Sequence, residues 1–340
     1  MGVRIEHSRL IDELKERLDG LGIDLEAGGT DALRGQIIAE RNLSRLDLSG
    51  YDLSGADLSG SDLSHTSFAG ANLTDAKLCR AQLNGTEFLD ACLERADLAE
   101  VQGVNCGFAR ADLTDVNAVG ARLTNSSWSE ARFRRAQFGG AVLEGGRFRG
   151  ADLSSAEFVH ANLSHCEFQD ARLRHTTFFR SDLHGSQLAD VKDYKAANWI
   201  RVNLLDVDFH GAYLVRRHIM DENFLYEFRR QSKVTAAVYW IWWATSDCGR
   251  SLLRWSAWVV ALILLFGVAY MFVDIDFGRH ETAFSPMYYS IVTLTTLGYG
   301  DAVPASTVGQ ILAVTEALFG YIGLGGLLSI FTQKMARRAE

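Results

Sequence analysis

Six consecutive residues near the carboxyl end of the sequence, Thr296 to Asp301, combine residue types that suit the binding of a desolvated cation. Two glycines, Gly298 and Gly300, flank one large residue, Tyr299. Glycine readily adopts the backbone conformations that point successive carbonyl groups in one direction. Stacked rings of such carbonyl oxygens can replace the water shell of an ion. The pattern therefore predicts a cation pore lined by main-chain oxygens.

Two long apolar stretches enclose this motif. Residues 255–273 are 19 residues without a charge, and residues 302–333 contain a single charged residue, Glu316. About 20 apolar residues suffice to cross the hydrocarbon core of a bilayer. Between the stretches, Pro286 suits the first turn of a short helix that would lead into the motif. We therefore predict membrane helices over about 252–273 and 304–332, a pore helix over about 285–295 and a filter over 296–300.

Charged residues around the two stretches are distributed asymmetrically. The segment between the stretches holds four acids and one arginine, whereas basic residues precede the first stretch and follow the second. Because cytoplasmic loops carry an excess of Lys and Arg, we predict a multi-pass protein of the inner (plasma) membrane with both termini cytoplasmic. The basic residues are Arg229, Arg230, Lys233, Arg250, Arg254, Lys334, Arg337 and Arg338.

The motif resembles the potassium-channel signature T-V-G-Y-G-D. The matching residues are Thr296, Gly298, Tyr299, Gly300 and Asp301. Leu297 stands where the signature has valine and contributes the same carbonyl. Some members of the family carry a glutamate behind the filter, where this chain has Val292. The resemblance implies an α-helical two-transmembrane pore domain that conducts K⁺ without a cofactor.

The same resemblance implies a homotetramer in a lipid membrane, because each chain supplies one filter strand and the family closes four. Tyr299 would pack outward and hold the filter open, and Asp301 would lie at the extracellular mouth. Gly320 lies at the position of the family's hinge, although close packing between helices explains it equally well.

Three residues that follow Gly320 share one helical face and are expected to line the pore, with a gate at one of the leucines. They are Tyr321, Leu324 and Leu328. Glu316 is an ionisable residue inside a predicted membrane helix, which makes it a candidate for function. Its carboxylate could bond Thr or Tyr side chains of the pore helix, or it could face the cavity; we favour the first.

A second pattern occupies residues 43–215, where a large apolar residue recurs at every fifth position. From Leu43 to Leu188, 28 of the 30 positions in this phase are Leu, Phe or Trp. A smaller residue stands two positions earlier, so that the two share one face of a short strand. Units of five residues cannot bury an apolar face alone, and the pattern predicts a solenoid of stacked coils. The phase then slips by one residue and resumes at Trp199, Leu204, Phe209 and Leu214.

This repeat resembles the pentapeptide-repeat family, whose motif is A-(D/N)-L-x-x, as in Ala56-Asp57-Leu58. The resemblance implies a right-handed quadrilateral β-helix over residues 41–215, with about four units per coil and about nine coils. Some members mimic DNA with a strongly acidic surface. Here the 23 acids and 18 bases leave too small an excess, and no nucleic acid partner is expected. A rigid spacer, or a docking platform for a cytoplasmic protein or small ligand, is the expected role.

Two further segments complete the predicted organisation. Residues 1–40 carry apolar residues at helical spacing, as expected of a helical cap on the solenoid or of a contact with a partner protein. Residues 216–250 are expected to form one amphipathic helix along the cytoplasmic interface of the membrane.

Overall composition excludes several other classes of protein. A net charge of −8 disfavours general nucleic-acid binding, and 48% hydrophobic residues exclude a disordered chain. The five cysteines form no CxxC pair of the kind that holds zinc. The sequence shows neither a nucleophile–base pair nor a phosphate-binding loop that would indicate an enzyme. A membrane-anchored scaffold with a vestigial pore, or a weakly selective cation channel, is also compatible with the sequence.

Overall fold

The computed structural model describes residues 43–278 and 281–339, with side chains described as far as residue 332. The chain divides into two compact units between Tyr226 and Glu227. The first unit contains the repeats, and the second contains the apolar stretches. The helical cap predicted over residues 1–40 lies outside the described residues.

The first unit is a parallel β-solenoid whose coils repeat every 20 residues. Parallel bridges join residues 20 apart from the pair Asp47 and Ser67 to the pair Arg172 and Lys192. At one place the pairing extends to three residues and forms the strands β1 (Gln102–Val104) and β2 (Arg122–Thr124). A spacing of 20 residues is four pentapeptides per coil, and the predicted quadrilateral β-helix is confirmed.

The large residue of each pentapeptide points into the solenoid and stacks on its counterparts in the neighbouring coils. Phe108 and Trp128 lie with ring centroids 4.1 Å apart, and Phe148 and Phe168 with centroids 5.1 Å apart; both pairs are nearly parallel. All four rings are fully buried. Because apolar burial contributes roughly 25 cal/mol per Å², this continuous column supplies much of the stability of the solenoid.

The corners of the coils are made by residues with positive φ, two positions after each large residue. Glycines such as Gly50 (φ 73°) take this conformation, but so do Arg95 (φ 57°) and Asp115 (φ 58°). A side chain at positive φ costs about 1–2 kcal/mol, which the stacking of the coils outweighs here. A corner of the solenoid therefore tolerates a strained residue.

Gly146 lies in one of the tightest positions of the core. A Cβ atom added there would lie 2.9 Å from the carbonyl oxygen of Leu143 and 2.9 Å from Cε2 of Phe148. It would also lie 3.4 Å from Nε1 of the buried Trp128. Glycine is therefore required by packing at this position rather than by backbone conformation.

Gly146→Ala is expected to destabilise the solenoid by about 1–3 kcal/mol, because the added methyl group meets a backbone oxygen that cannot move independently. Denaturant unfolding of residues 1–226, followed by circular dichroism, measures the change. Gly139→Ala is the matched control, since its Cβ would meet nothing closer than 3.9 Å. Equal midpoints for Gly146→Ala and the unsubstituted fragment would show that the coil is not packed as described.

The slip in the repeat is a bulge built on a 3₁₀ turn, Tyr194–Ala196. After the turn the bridges join residues 21 apart, as between Thr177 and Asn198. The indole Nε1 of Trp199 donates to the carbonyl oxygen of Tyr194 at 2.8 Å, and its ring stacks on Phe178 with centroids 4.7 Å apart. The extra residue is thus absorbed at a corner while the core column continues.

The prediction that Leu214 faces the core of the solenoid is wrong. The repeat gives way to helix α1 (Tyr213–Gln231), in which Leu214 is 63% exposed. Val215 and Ile219 are buried instead, because the helix presents every third or fourth residue to the core. The period of five therefore ends one unit earlier than the sequence suggests.

The single helix predicted over residues 216–250 is also wrong, because two helices occupy this segment. Helix α1 ends at Gln231, and α2 (Lys233–Ser246) starts after Ser232. The Ser232 hydroxyl accepts from the Thr235 amide at 3.1 Å, and the Thr235 hydroxyl accepts from the Ser232 amide at 2.9 Å. This reciprocal capping box starts a new helix.

The second unit contains two long helices, α3 (Leu252–Ala269) and α5 (Thr307–Ala339), with the shorter α4 (Ser285–Leu294) between them. A 3₁₀ turn, Tyr270–Phe272, extends α3. The two-residue strands β3 (Ile275–Asp276) and β4 (Val303–Pro304) pair antiparallel.

Two segments of this unit, Leu252–Phe272 and Thr307–Thr332, are long and apolar enough to cross a membrane. Only 17% of each apolar window is buried inside the protein. The core helix of a soluble protein would be mostly buried, so these exposed apolar surfaces fit a lipid environment and contacts between subunits.

Candidate functional site

The motif Thr296–Asp301 follows the end of α4 as an irregular extended segment. Thr296, Gly298 and Gly300 have positive φ values of 59°, 52° and 74°, whereas Leu297 and Tyr299, between them, do not. Such an alternation allows neighbouring carbonyl groups to point in similar directions, as the two glycines lead one to expect. The segment can therefore present a row of main-chain oxygens to a cation.

The residues of this segment are open on one side in the single chain. Leu297 is 58% exposed and Tyr299 is 67% exposed. A Cβ added at Gly298 or Gly300 would meet no atom within 4 Å. The packing expected of Tyr299 is thus not completed by its own chain, and the surface beside the segment is free to receive another copy.

Helix α4 positions the start of the segment. Pro286 lies in its first turn, and Tyr289, Ser290, Val292 and Leu294 are buried. At its end the amides of Thr295, Thr296 and Leu297 still donate to carbonyl oxygens of the last helical turns. The chain therefore leaves the helix in a defined direction, with the negative end of the helix dipole toward the segment.

A hydrogen bond ties the far end of the motif back to α4. The phenol of Tyr288 donates to Oδ2 of Asp301 at 2.7 Å. The motif is thus held at both ends by the same helix, through Thr296 at one end and Asp301 at the other. Sequence reasoning assigned Asp301 but missed Tyr288, because no spacing rule links a helical residue to a carboxylate 13 residues later.

Glu316 lies on α5 and is fully buried. The phenol of Tyr270 donates to its Oε2 at 2.7 Å, and the hydroxyl of Ser290 is bonded to its Oε1. The carboxylate thus faces α4 and the 3₁₀ turn after α3 rather than an open cavity. Its partners are a serine of α4 and a tyrosine of the 3₁₀ turn after α3, and not the Thr or Tyr side chains of α4 that the sequence suggested.

The glycines of α5 allow other segments to approach closely. A Cβ at Gly320 would lie 2.1 Å from the carbonyl oxygen of Leu294, and one at Gly326 would lie 2.3 Å from Cζ2 of Trp255. The indole of Trp255 also donates to the carbonyl oxygen of Gly323 at 2.7 Å. Helix α5 is unbroken through all of these positions. The geometry favours close packing at Gly320, and a hinge there stays a prediction.

The residues expected to line the pore lie on an uncovered face of α5. Tyr321 is 68% exposed, Leu324 is 39% exposed and Leu328 is 66% exposed. Their side chains are available to a central axis or to a neighbouring subunit. Pore lining and gating by these residues stay predictions, because both depend on the assembly.

Comparison with known families agrees with this division of the chain. Residues 258–337 match the family model described as ion channel. Eight copies of the pentapeptide repeat are matched between residues 42 and 192. The fold and the site thus define an ion-channel pore unit preceded by a pentapeptide-repeat β-helix.

The chain belongs to this ion-channel family. It is 31% identical over 101 residues to Protein LctB of Geobacillus stearothermophilus, covering 24% of this chain and 74% of that protein. It is 38% identical over 84 residues to Two-pore potassium channel 4 of Arabidopsis thaliana, covering 22% of this chain and 30% of the relative. The chain spans less than a third of the length of the plant channels that it matches.

One solved structure similar to the repeat unit is trypsin-treated QnrB1, a plasmid-mediated fluoroquinolone resistance protein. The two chains share 20% sequence identity with a TM-score of 0.43, over 52% of this chain and 96% of the other.

Proposed function

We propose that this protein is a potassium-selective channel that conducts K⁺ passively across a membrane. The observation that carries the proposal is the segment Thr296–Gly300, with its alternating φ values, placed between two helices of membrane-spanning length. Membership of the ion-channel family and the similarity to plant proteins named as potassium channels support the choice of ion.

The proposed filter needs four copies of the chain. Carbonyl oxygens of Thr296, Leu297, Gly298, Tyr299 and Gly300 from each copy would replace the water shell of K⁺. The exposed flank of the segment, including Leu297 and Tyr299, would be covered by the neighbouring copies. Asp301 would lie at the mouth and, with the other acids between the spans, raise the local concentration of cations. A homotetramer is therefore part of the proposal.

Cation flux into liposomes that contain the purified protein tests this function. A K⁺ gradient should drive rapid flux, and an equal Na⁺ gradient should drive little. Comparable flux of the two ions would indicate a weakly selective cation channel. No flux of either ion from correctly assembled protein would favour a membrane-anchored scaffold with a vestigial pore.

We propose that the solenoid is a cytoplasmic platform with a structural or regulatory role. All the proposed filter oxygens come from the second unit, so the solenoid contributes none of them. Its regular faces suit a cytoplasmic protein or a small ligand. Any effect on the pore must act through a difference in contact free energy between open and closed states.

We further propose that both termini lie in the cytoplasm and that the membrane is the inner (plasma) membrane. An impermeant thiol reagent applied to intact cells is expected to label a cysteine introduced at Thr282 and to leave one introduced at Ser155 unlabelled. Both positions are exposed on the protein. Labelling of Ser155→Cys but not of Thr282→Cys would show that the chain has the opposite topology.

The labelling experiment needs only three native cysteines removed: Cys79, Cys92 and Cys248. The other two are buried in the solenoid. Burial raises the pKa of the Cys106 thiol to about 11 and that of the Cys166 thiol to about 12. Because the thiolate is the reactive form, both stay inert at neutral pH.

A further inference from the structure

A buried hydrogen-bonded cluster joins the three segments that surround the proposed filter. We propose that Glu316 in this cluster is a positioning residue for the selectivity filter, and that it acts through hydrogen bonds rather than through charge. The inference rests on the proposed function, since it assigns a role within the same filter. Its partners are Ser290 on α4 and Tyr270 in the turn after α3.

The cluster is closed to solvent. Glu316 and Ser290 are each 0% exposed, and Tyr270 is 1% exposed. The Ser290 hydroxyl also lies 2.9 Å from the carbonyl oxygen of Ile263 on α3. One carboxyl group and one hydroxyl therefore connect α3, α4 and α5 in a place where water does not offer substitute hydrogen bonds. An unpaired polar group left there is costly.

The cluster lies where it can set the position of the filter strand. Ser290 lies six residues before Thr296 on the helix that leads into the filter. Gly320, one turn beyond Glu316 on the same face of α5, abuts the carbonyl oxygen of Leu294 at the end of α4. Helix α5 therefore contacts α4 at two places: near the middle of α4, at Ser290, and at the end of α4, at Leu294. Because packed interiors transmit small displacements, the place of α5 determines the place of the filter strand.

Among the residues that the structure describes, those around Glu316 supply hydrogen-bonding groups and aromatic rings, and none supplies a cation. The ring centroid of Tyr289 lies 4.8 Å from that of Tyr270, and the ring centroid of Phe266 lies 6.4 Å from it. Among the described residues, no Lys, Arg or His forms an ion pair with Glu316. A buried charge without a partner is strongly unfavourable. The cluster thus calls for a polar side chain that fits, and not for a negative charge.

Proton counting within the cluster supports the same conclusion. Ser290 has one hydroxyl proton, yet its oxygen lies within hydrogen-bond distance of both Ile263 O and Glu316 Oε1. If the group at position 316 donates a proton to Ser290, Ser290 can donate its own to Ile263 and every partner is satisfied. A glutamine amide can make that donation while its oxygen accepts from Tyr270.

This arrangement differs from the one implied by the family resemblance. At the position behind the filter where some members have glutamate, this chain has Val292, which is 6% exposed and carries no polar group. The buried carboxyl group here comes from α5 instead. Through Ser290 it therefore links α5 to α4, the helix that leads into the filter.

The test compares full-length Glu316→Gln, Glu316→Ala and Ser290→Ala tetramers in planar bilayers. We expect Glu316→Gln to keep the K⁺ over Na⁺ permeability ratio and the sustained current of the unsubstituted channel. Glu316→Ala and Ser290→Ala should lower the ratio, or the fraction of current that is sustained, by about tenfold or more. The double variant should be no worse than Glu316→Ala, because both changes break the same connection.

Thr315→Ala is the matched control on the same helix. Among the described residues, the Thr315 hydroxyl bonds its own helix alone, at 2.7 Å from the carbonyl oxygen of Ile311, and its loss should leave selectivity unchanged. Tyr270→Phe removes one hydroxyl and keeps the aromatic ring, so it provides an intermediate variant if Glu316→Ala does not assemble. It should lower the ratio while Thr315→Ala does not.

Three outcomes would overturn the inference. Full selectivity and sustained current in Glu316→Ala, or in Tyr270→Phe where the alanine variant does not assemble, would show that the cluster does not position the filter. A Glu316→Gln variant as defective as Glu316→Ala would show that charge is needed. Additive losses in the double variant would show that the two residues act separately. A lack of K⁺ selectivity in the unsubstituted protein would instead contradict the proposed function itself.

Discussion

Gly300→Ala is expected to abolish K⁺ conduction while the tetramer still assembles. Gly300 has φ of 74°, a conformation that costs a residue with a side chain about 1–2 kcal/mol. An added Cβ would meet nothing within 4 Å in the single chain, so the expected defect is one of conformation rather than space. Relief of the strain rotates a carbonyl group out of line, and the tetramer repeats this error in all four filter strands.

Gly50→Ala is a closely matched control for this variant. Gly50 has φ of 73° and is also free of contacts within 4 Å, but it lies at a corner of the solenoid. Other corners hold Arg and Asp in the same conformation, so this variant should conduct normally. Liposome K⁺ flux measures both, and gel filtration checks assembly. Unreduced flux through Gly300→Ala would mean that the filter is wrongly assigned.

Gly320→Ala is expected to cause the second large loss, because the added Cβ would lie 2.1 Å from the backbone oxygen of Leu294. Overpacking of a well-packed interior costs about 1–3 kcal/mol, and a backbone atom cannot swing aside as a side chain can. Helices α4 and α5 must then separate, which displaces the filter. We expect a lower melting temperature of the solubilised tetramer and loss of selective K⁺ flux.

Gly325→Ala is the matched control for this packing role. It lies on the same helix, and its Cβ would meet nothing within 4 Å in the single chain. Replacing a helical glycine by alanine should also stabilise α5, by up to about 1 kcal/mol. If Gly320 acts mainly as a hinge, Gly320→Ala should alter open probability and leave both melting temperature and selectivity unchanged. That result would contradict the packing role.

The solenoid could be predicted from sequence because its core is repetitive. Before the bulge, a large residue such as Phe148 meets an equivalent residue 20 positions away, so one period describes these core contacts. The positive φ of Gly298 and Gly300 followed from residue type in the same way. Both predictions depend on local conformation or on a regular repeat, which a sequence displays directly.

The contacts between helices could not be predicted in this way. A burial pattern shows which face of α5 holds Glu316, but it does not show that Tyr270 and Ser290 meet it from two other segments. The same holds for Tyr288 and Asp301. These pairs are set by how the helices cross, which depends on the shapes of many side chains together.

The start of α2 was missed for a different reason. The capping residues Ser232 and Thr235 are present in the sequence, but the following apolar run continues the helical pattern of α1. A continuous pattern favours one helix, and the capping bonds that divide it became evident only in the structure.

The central claim is that Thr296–Gly300 selects K⁺, and the reversal potential of the reconstituted channel tests it most directly. With K⁺ on one side of a planar bilayer and Na⁺ on the other, the current should reverse far from zero, at a voltage that opposes K⁺ movement. A reversal potential near zero under these conditions would contradict the assignment of this segment as a potassium filter.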